Sequence, residues 1–297
     1  MRNWFCFPML LVFAIALAGC QEQVTELSRL PLAAHPIATP VEKTTDPEIL
    51  DNIFVGEDRL SYNSFDVVKL AKRIRFDSQT KTDVSYAVLK KNGRILAKFD
   101  GDIYFGGGNA TDFGLFSFLG GVEKQLLVSQ TIPRSGRYWI VDLSSDEHVI
   151  FDSGDYGVGR EDFYVIDIDK DGVYEISLPV TAFYMFENMD MSETPLPEII
   201  FKYNEKLRKY LPANKEFQEY SLRNLDSDIK NLELEDSNHY LSKRLDIVLR
   251  YIYAGRKDDA WTFFEKQYRR PDRKEIKSKI EAILKKEEVY KYLYGSR

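Results

Sequence analysis

Cysteine is nearly missing from this 297-residue chain: it has two, Cys6 and Cys20, and none afterwards. Beyond residue 20 no disulfide can form and no thiol can act as nucleophile. The body must draw its stability from packing, with a bound ion as the other available staple. Histidine is also scarce, with His35, His148 and His239 as the full set. None falls in an HExxH pattern and no GxSxG is present, which removes two familiar hydrolase signatures. Gly106-Gly107-Gly108 leads into strand-like sequence and reads as a turn, not a phosphate cradle. Asp146, Glu147 and His148 are chain neighbours that point to opposite faces, so they form no acid/base set. After the first twenty residues no apolar run is long enough to span a bilayer. The net charge is −6, yet residues 201–297 carry 23 Lys and Arg against 17 Asp and Glu, which leaves the first 200 residues at about −12. An acidic front half argues against nucleic acid. The basic surplus of the tail reads as the solvated face of helices, with anionic headgroups or an acidic partner as its alternative use.

What is present starts at the N-terminus. Met1-Arg2-Asn3 is cationic, Trp4 to Leu17 is apolar, and Leu17-Ala18-Gly19-Cys20 closes the run with small residues. That layout describes a secretory signal peptide over 1–19. An apolar stretch of 14 residues is shorter than the roughly 18 of a spanning helix. The Leu-Ala-Gly-Cys ending resembles the bacterial lipobox. The resemblance implies that Cys20 is the lipidation site, acylated with palmitate-like chains, and becomes the new N-terminus. It also implies a membrane partner reached through the lipid anchor and a place in the bacterial cell envelope. Gln21, where an Asp would signal inner-membrane retention, leans toward the outer membrane in a two-membrane cell. Residues 20–49, rich in Pro, Ala, Thr and Glu, read as a flexible tether. About 28 such residues hold a body some 30 Å from its anchor.

From residue 50 to 212 the chain repeats. Phe99, Phe151 and Phe201 are spaced by 52 and 50 residues and close ILAKF, HVIF and EIIF. Tyr86 and Tyr138 open strands 52 apart, and Ile74, Leu126 and Ile176 follow at 52 and 50. The turn FDGDIYFGGG is answered by FDSGDYGVG. A period near 50, with β-branched and aromatic strands and Gly/Asp turns, predicts a β-meander repeat of about four strands per unit. Three units are too few for a typical closed ring, so a partial propeller-like or sandwich body is expected. Residues 66–76 fit either a strand or a helix face, and the repeat favours the strand.

Within the third unit lies Asp167-Ile168-Asp169-Lys170-Asp171-Gly172-Val173-Tyr174-Glu175. Carboxylates at alternate positions converge on a point, Gly172 permits the sharp turn, and the Val173 carbonyl with Glu175 completes an oxygen shell. Hard oxygen ligands of this kind suit calcium. Position twelve is Leu178 and strands flank the loop, which disfavours an EF-hand. The pattern DxDxDGxxEI between strands resembles the calcium loop of FG-GAP/VCBS repeats. The resemblance implies a structural calcium ion held by Asp167, Asp169, Asp171, Val173 and Glu175. The corresponding stretch of the preceding unit, Ser117 to Val122, keeps glycine and lacks the carboxylates.

After Pro212 the periodicity turns helical, so residues 213–297 are expected to form a small α-helical domain. Leu241, Leu245, Val248, Leu249 and Ile252 share one helix face over 238–254, and Gly255 ends it. A second helix over 257–268 stops before Pro271, and Asp272 with Glu275 predicts a capping box for a third. Gly255, Ala260, Phe264 and Pro271 resemble the pattern of a tetratricopeptide hairpin, which implies a docking surface. Trp261, Phe263, Phe264 and Tyr268 are its candidate contacts with an envelope partner. A single hairpin cannot bury its own face, so packing on the β body is the plainer expectation. The sequence as a whole predicts an α+β fold and a non-enzymatic binding or scaffolding lipoprotein. A hydrolase of envelope polymers using carboxylate acid and base is the first alternative, and a purely structural spacer the second.

Overall fold

A computed structural model describes residues 59–75, 81–100, 110–132, 135–144, 148–159, 163–232 and 239–295. The lipobox, Cys20 and the tether lie outside the described residues, as do Gly106 to Gly108, Asp146 and Glu147. Among the described residues no helix is long and apolar enough to cross a membrane.

The protein is an α+β fold with three four-stranded antiparallel meanders and a helical tail. The first sheet holds β1 (Arg59–Tyr62), β2 (Phe65–Arg75), β3 (Lys81–Lys91) and β4 (Arg94–Phe99). The second holds β5 (Ala110–Phe116), β6 (Gln125–Ile132), β7 (Ser135–Asp142) and β8 (His148–Asp152). The third holds β9 (Tyr164–Ile166), β10 (Glu175–Pro179), β11 (Glu198–Asn204) and β12 (Lys209–Pro212). The ambiguous segment is thus strand from Asp66 to Arg75, and Phe76 lies outside the described residues. Asn92 (φ 50) and Gly93 (φ 81) join β3 to β4 with left-handed backbone at both central positions, the conformation an Asn-Gly hairpin turn adopts.

The repeat is visible in the register. Ile74, Leu126 and Ile176 all lie on the second strand of their sheets, and Tyr86 and Tyr138 on the third. A register shift between Leu89 and Lys90 opposite β4 recurs between Ile140 and Val141 opposite β8. Phe201 departs from the expected series. It sits on β11, the third strand, whereas Phe99 ends a fourth strand and Phe151 lies one residue before the end of one. Residues 180–197, with a 3-10 turn at Phe186–Asn188, intervene between β10 and β11 and displace the strand order by one.

The middle sheet is buried on both faces, and its period-two alternation sorts side chains between two cores. Leu126, Val128, Trp139 and Val141 pack with Leu60, Phe65, Leu89 and Phe99 of the first sheet. Leu127, Tyr138 and Ile140 pack instead with Ile176, Leu178 and Phe201 of the third. This explains why QLLV and YWIV are continuous apolar runs without polar alternation.

The tail comprises α1 (Gln218–Ser221), α2 (Leu225–Asn231), α3 (Tyr240–Tyr253), α4 (Lys257–Gln267), α5 (Arg273–Leu284) and α6 (Glu288–Tyr294). Leu245, Val248, Leu249 and Ile252 are buried as their spacing predicts, and Leu241 is half-buried. Gly255 (φ 84) follows α3 in the left-handed conformation that ends helices. The expected capping box at α5 does not form: Asp272 makes no side-chain cap bond, and Glu275 pairs with Lys279 at 2.8 Å. Glu287 caps α6 by accepting from the N–H groups of Val289 (3.2 Å) and Tyr290 (2.8 Å). Burial pushes its carboxyl up to about 7. The helical core is continuous with that of the third sheet, since Leu249, Ile252 and Phe264 share one buried cluster with Phe201 and Tyr210.

Candidate metal site

β9 and β10 pair with Ile166 opposite Glu175, so residues 167–174 close a hairpin at one end of the third sheet. Lys170 (φ 62) and Gly172 (φ 86) take left-handed backbone and fold the loop back on itself. Two aspartates brace it. Asp167 Oδ2 accepts from the Gly172 N–H at 3.3 Å, and Asp171 Oδ1 accepts from the Val173 N–H at 2.8 Å. Glu175 Oε2 accepts from the Ile168 N–H at 2.8 Å across the loop.

Carboxylate oxygens of Asp167, Asp169 and Glu175 lie within 4.8 Å of one another. Oxygens bound to one calcium ion at about 2.4 Å lie no more than about 4.8 Å apart, so the three fit a single ion. Glu175 is only 1% exposed. Its Oε1 and Asp167 Oδ1 are buried with no hydrogen-bond partner. A buried acceptor without a donor costs about 1–3 kcal/mol, and more when charged. Burial pushes the Glu175 carboxyl above its ordinary value against the pull of the Ile168 N–H, and Asp169 and Asp171 add repulsion.

The second sheet supplies an internal comparison. Gln125 opens β6 as Glu175 opens β10, fifty residues on, and it too is 1% exposed. Its Oε1 accepts from the Leu119 N–H at 3.2 Å, while its Nε2 donates to the Glu123 carbonyl at 3.4 Å. Glu123 stands two residues before Gln125 as Val173 stands before Glu175. One amide therefore satisfies the second-sheet loop with its own donor. An ionised carboxylate has no donor to give, so Glu175 Oε1 is left without the partner that the Gln125 amide finds in its own loop.

The two loops are locked together. The Tyr174 N–H donates to the Phe118 carbonyl at 2.8 Å, and the Tyr210 hydroxyl donates to the Tyr174 carbonyl at 3.0 Å. Gly120 (φ 74) faces the Gly172 carbonyl so closely that a Cβ there would lie 2.1 Å from the oxygen.

Of the five ligands expected, Asp167, Asp169 and Glu175 converge, while Asp171 stands outside that group. Its Oδ1 is taken by the Val173 N–H, and its Oδ2 lies 3.6 Å from Lys202 Nζ. For Val173 the structure shows this N–H contact. Lys202 is the residue that sequence reading missed. Its Nζ donates to Asp169, a bond that holds the Asp169 carboxyl below its usual range and the Lys202 ammonium above its own. The signal was the strand order. With Ile176 opposite Phe201, the next step of the ladder sets Glu175 beside Lys202.

The aromatic contacts expected on the tail are mostly interior. Phe264 is 0% and Tyr268 1% exposed, stacked at 4.9 Å between centroids, and Phe263 is buried. Trp261 alone of the four is half-buried, with Lys277 Nζ 5.0 Å from its ring centroid. His239 Nδ1 lies 3.0 Å from Glu193 Oε1. A cleft of about 290 Å³ is lined by Glu198, Arg223, Asp228, Asp246 and Arg250, among others. Arg223 holds Glu198 at 2.7 Å, and Arg250 lies 2.6 Å from Asp228 and 3.7 Å from Asp246. Burial raises the Asp246 carboxyl.

No protein-family model, no curated protein and no solved structure matches this chain.

Proposed function

We propose that this chain is a lipid-anchored protein of the bacterial cell envelope whose β body is stabilised by one calcium ion and serves a non-enzymatic binding or scaffolding role. The observation that carries the ion is Glu175, a buried carboxylate with one oxygen unpartnered, in a loop where three carboxylates converge. Asp167, Asp169 and Glu175 would hold the ion. It would meet the oxygens of this loop as the Gln125 amide N–H meets the Glu123 carbonyl in the second sheet. An all-oxygen donor set favours calcium over zinc or copper. Such an ion is structural in kind, since its ligands come from one loop and its effect is to fix that loop against the second sheet.

The anchor rests on the lipobox resemblance at Cys20. Cys20→Ser is expected to move the protein from the membrane pellet to the soluble fraction, or to leave an uncleaved precursor, as fractionation and lipid labelling would show. Normal processing and labelling in that variant would overturn the anchor. The hydrolase alternative rests on the cleft, where Asp246 is raised by burial beside Asp228. Cleavage of an envelope polymer by the native protein, lost in Asp246→Asn, would replace the non-enzymatic reading.

A further inference from the structure

We infer that Lys202 is a built-in counter-ion that competes with the divalent cation, making the loop a site filled and emptied by changes in calcium concentration instead of a permanently occupied one. The inference rests on the reading of residues 167–175 as a cation site and concerns how that site is regulated.

Lys202 lies on β11 on the face it shares with Ile200, and Ile200 packs with Ala213 and Phe217 away from the second sheet. Glu175 opens β10 on that same face, because its neighbour Ile176 points into the opposite core. The acidic loop and the lysine are therefore brought together by strand pairing, not by chance contact of two surface side chains. The ammonium donates to Asp169 and approaches Asp171 Oδ2 at 3.6 Å. It thus takes up two of the four carboxylates. The other two, Asp167 and Glu175, are the ones that retain unpartnered buried oxygens. The cluster is half neutralised from within and half left open.

An ion drawn to Asp167, Asp169 and Glu175 must share Asp169 with the ammonium. Like charges a few ångströms apart repel strongly at the intermediate dielectric of a protein surface. Calcium can bind fully only as Lys202 lets go of Asp169. A lysine is suited to this exchange. Its charge is a point on a long flexible stem, and Nζ already lies 5.3 Å from the centre of the Phe217 ring, which offers an alternative partner. Side-chain exposure of 28% leaves room for that movement. Binding then becomes an exchange of cations, in which the gain from calcium is offset by the loss of the internal ion pair. Without calcium the same lysine keeps the four carboxylates from forcing the loop open.

The test is calorimetric titration of calcium chloride into the full chain, native and with Lys202→Met, which keeps the stem over Phe217 and removes the charge. Lys202→Gln, which keeps a donor for Asp169, is the second variant should the first fold poorly. The uncharged variants should bind calcium about tenfold more tightly or better, the effect of removing one cation a few ångströms from the ion. Their melting points in chelator should fall below that of the native chain. Equal or weaker calcium binding in the uncharged variants would overturn the counter-ion role while leaving the site in place. Absence of binding in native and variant chains alike would overturn the site itself.

Discussion

Cut after Pro212, neither half of the chain is expected to melt cooperatively on its own. Residues 213–297 expressed alone should be poorly folded or self-associated, and the β body without them should aggregate. The reason lies in a shared core. Ile176, Leu178, Phe201 and Tyr210 of the third sheet belong to the same buried cluster as Leu245, Ile252, Phe264 and Ile280. α6 packs on β12 and on the turn Ser153–Tyr156. Each large apolar side chain is worth about 1.5–3 kcal/mol when fully buried, so exposing a few of them exceeds the roughly 5–15 kcal/mol by which a domain is stable. The tail cannot compensate, because its longest helix has 14 residues and helices of that length are marginal in water. Polar links across the junction would also be lost, including Lys279 to Glu187 at 2.8 Å and the Ser242 hydroxyl to the Glu193 carbonyl. Gel filtration with a circular-dichroism melt of each fragment decides the matter. A monomeric tail with a sharp transition would show it to be an independent domain.

Gly120→Ala should be among the most damaging single-methyl additions in the β body. The residue has φ 74, where an L side chain is strained, and its Cβ would meet the Gly172 carbonyl at 2.1 Å. That oxygen belongs to the acidic loop's own backbone, so relief requires the two loops to part. A cost of about 2–4 kcal/mol is expected, a melting point lower by roughly 5–15 °C. Gly121→Ala is the control. Its Cβ would have Glu123 N at 3.8 Å as its nearest neighbour, and no left-handed backbone is involved. Thermal melts of the two variants should therefore separate widely. Equal melting points would mean that the contact between loops does not hold the body together.

The same contrast shows what the sequence could reveal. A 50-residue spacing located the second and third strands, since Ile74, Leu126 and Ile176 each fall on the second strand of a sheet, although Ile74 lies near the end of its strand and the other two near the start. It misplaced Phe201, because residues 180–197 between β10 and β11 carry the third strand further along the chain, so that the 50-residue step lands on it instead of the fourth. Local chemistry in the loop was legible to the extent that it was local. Asp167, Asp169 and Glu175 converge because a tight turn imposes it, whereas Asp171 is diverted by a backbone N–H and a lysine from another strand. Lys202 was out of reach from the motif alone, since only strand order makes residues 175 and 202 neighbours. Gln125 became informative for the same reason. Its equivalence to Glu175 depends on the hairpins being superposable, and the sequence showed only that the carboxylates were missing around Gly120. For the aromatic residues of α4 and its end the sequence offers packing on the β body as the plainer expectation and a docking surface as the other, and Phe264 and Tyr268 face inward, because a helix so short relies on its apolar side for burial.

The central claim is that a divalent cation completes the loop around Glu175. It is tested most directly by melting the native chain and Glu175→Gln, each in chelator and in millimolar calcium. A ligand that binds only the folded state stabilises it by RT ln(1 + [L]/Kd). With Kd near 10⁻⁴ to 10⁻³ M, as in extracellular calcium modules, calcium at about 5 mM should give the native chain about 1–2 kcal/mol, a rise of roughly 2–8 °C. Glu175→Gln reproduces the arrangement at Gln125 and removes a buried charge. It should melt at or above the native chain in chelator and show no response to calcium. Superimposable native curves in chelator and calcium would contradict the account and leave residues 167–175 as an acidic turn.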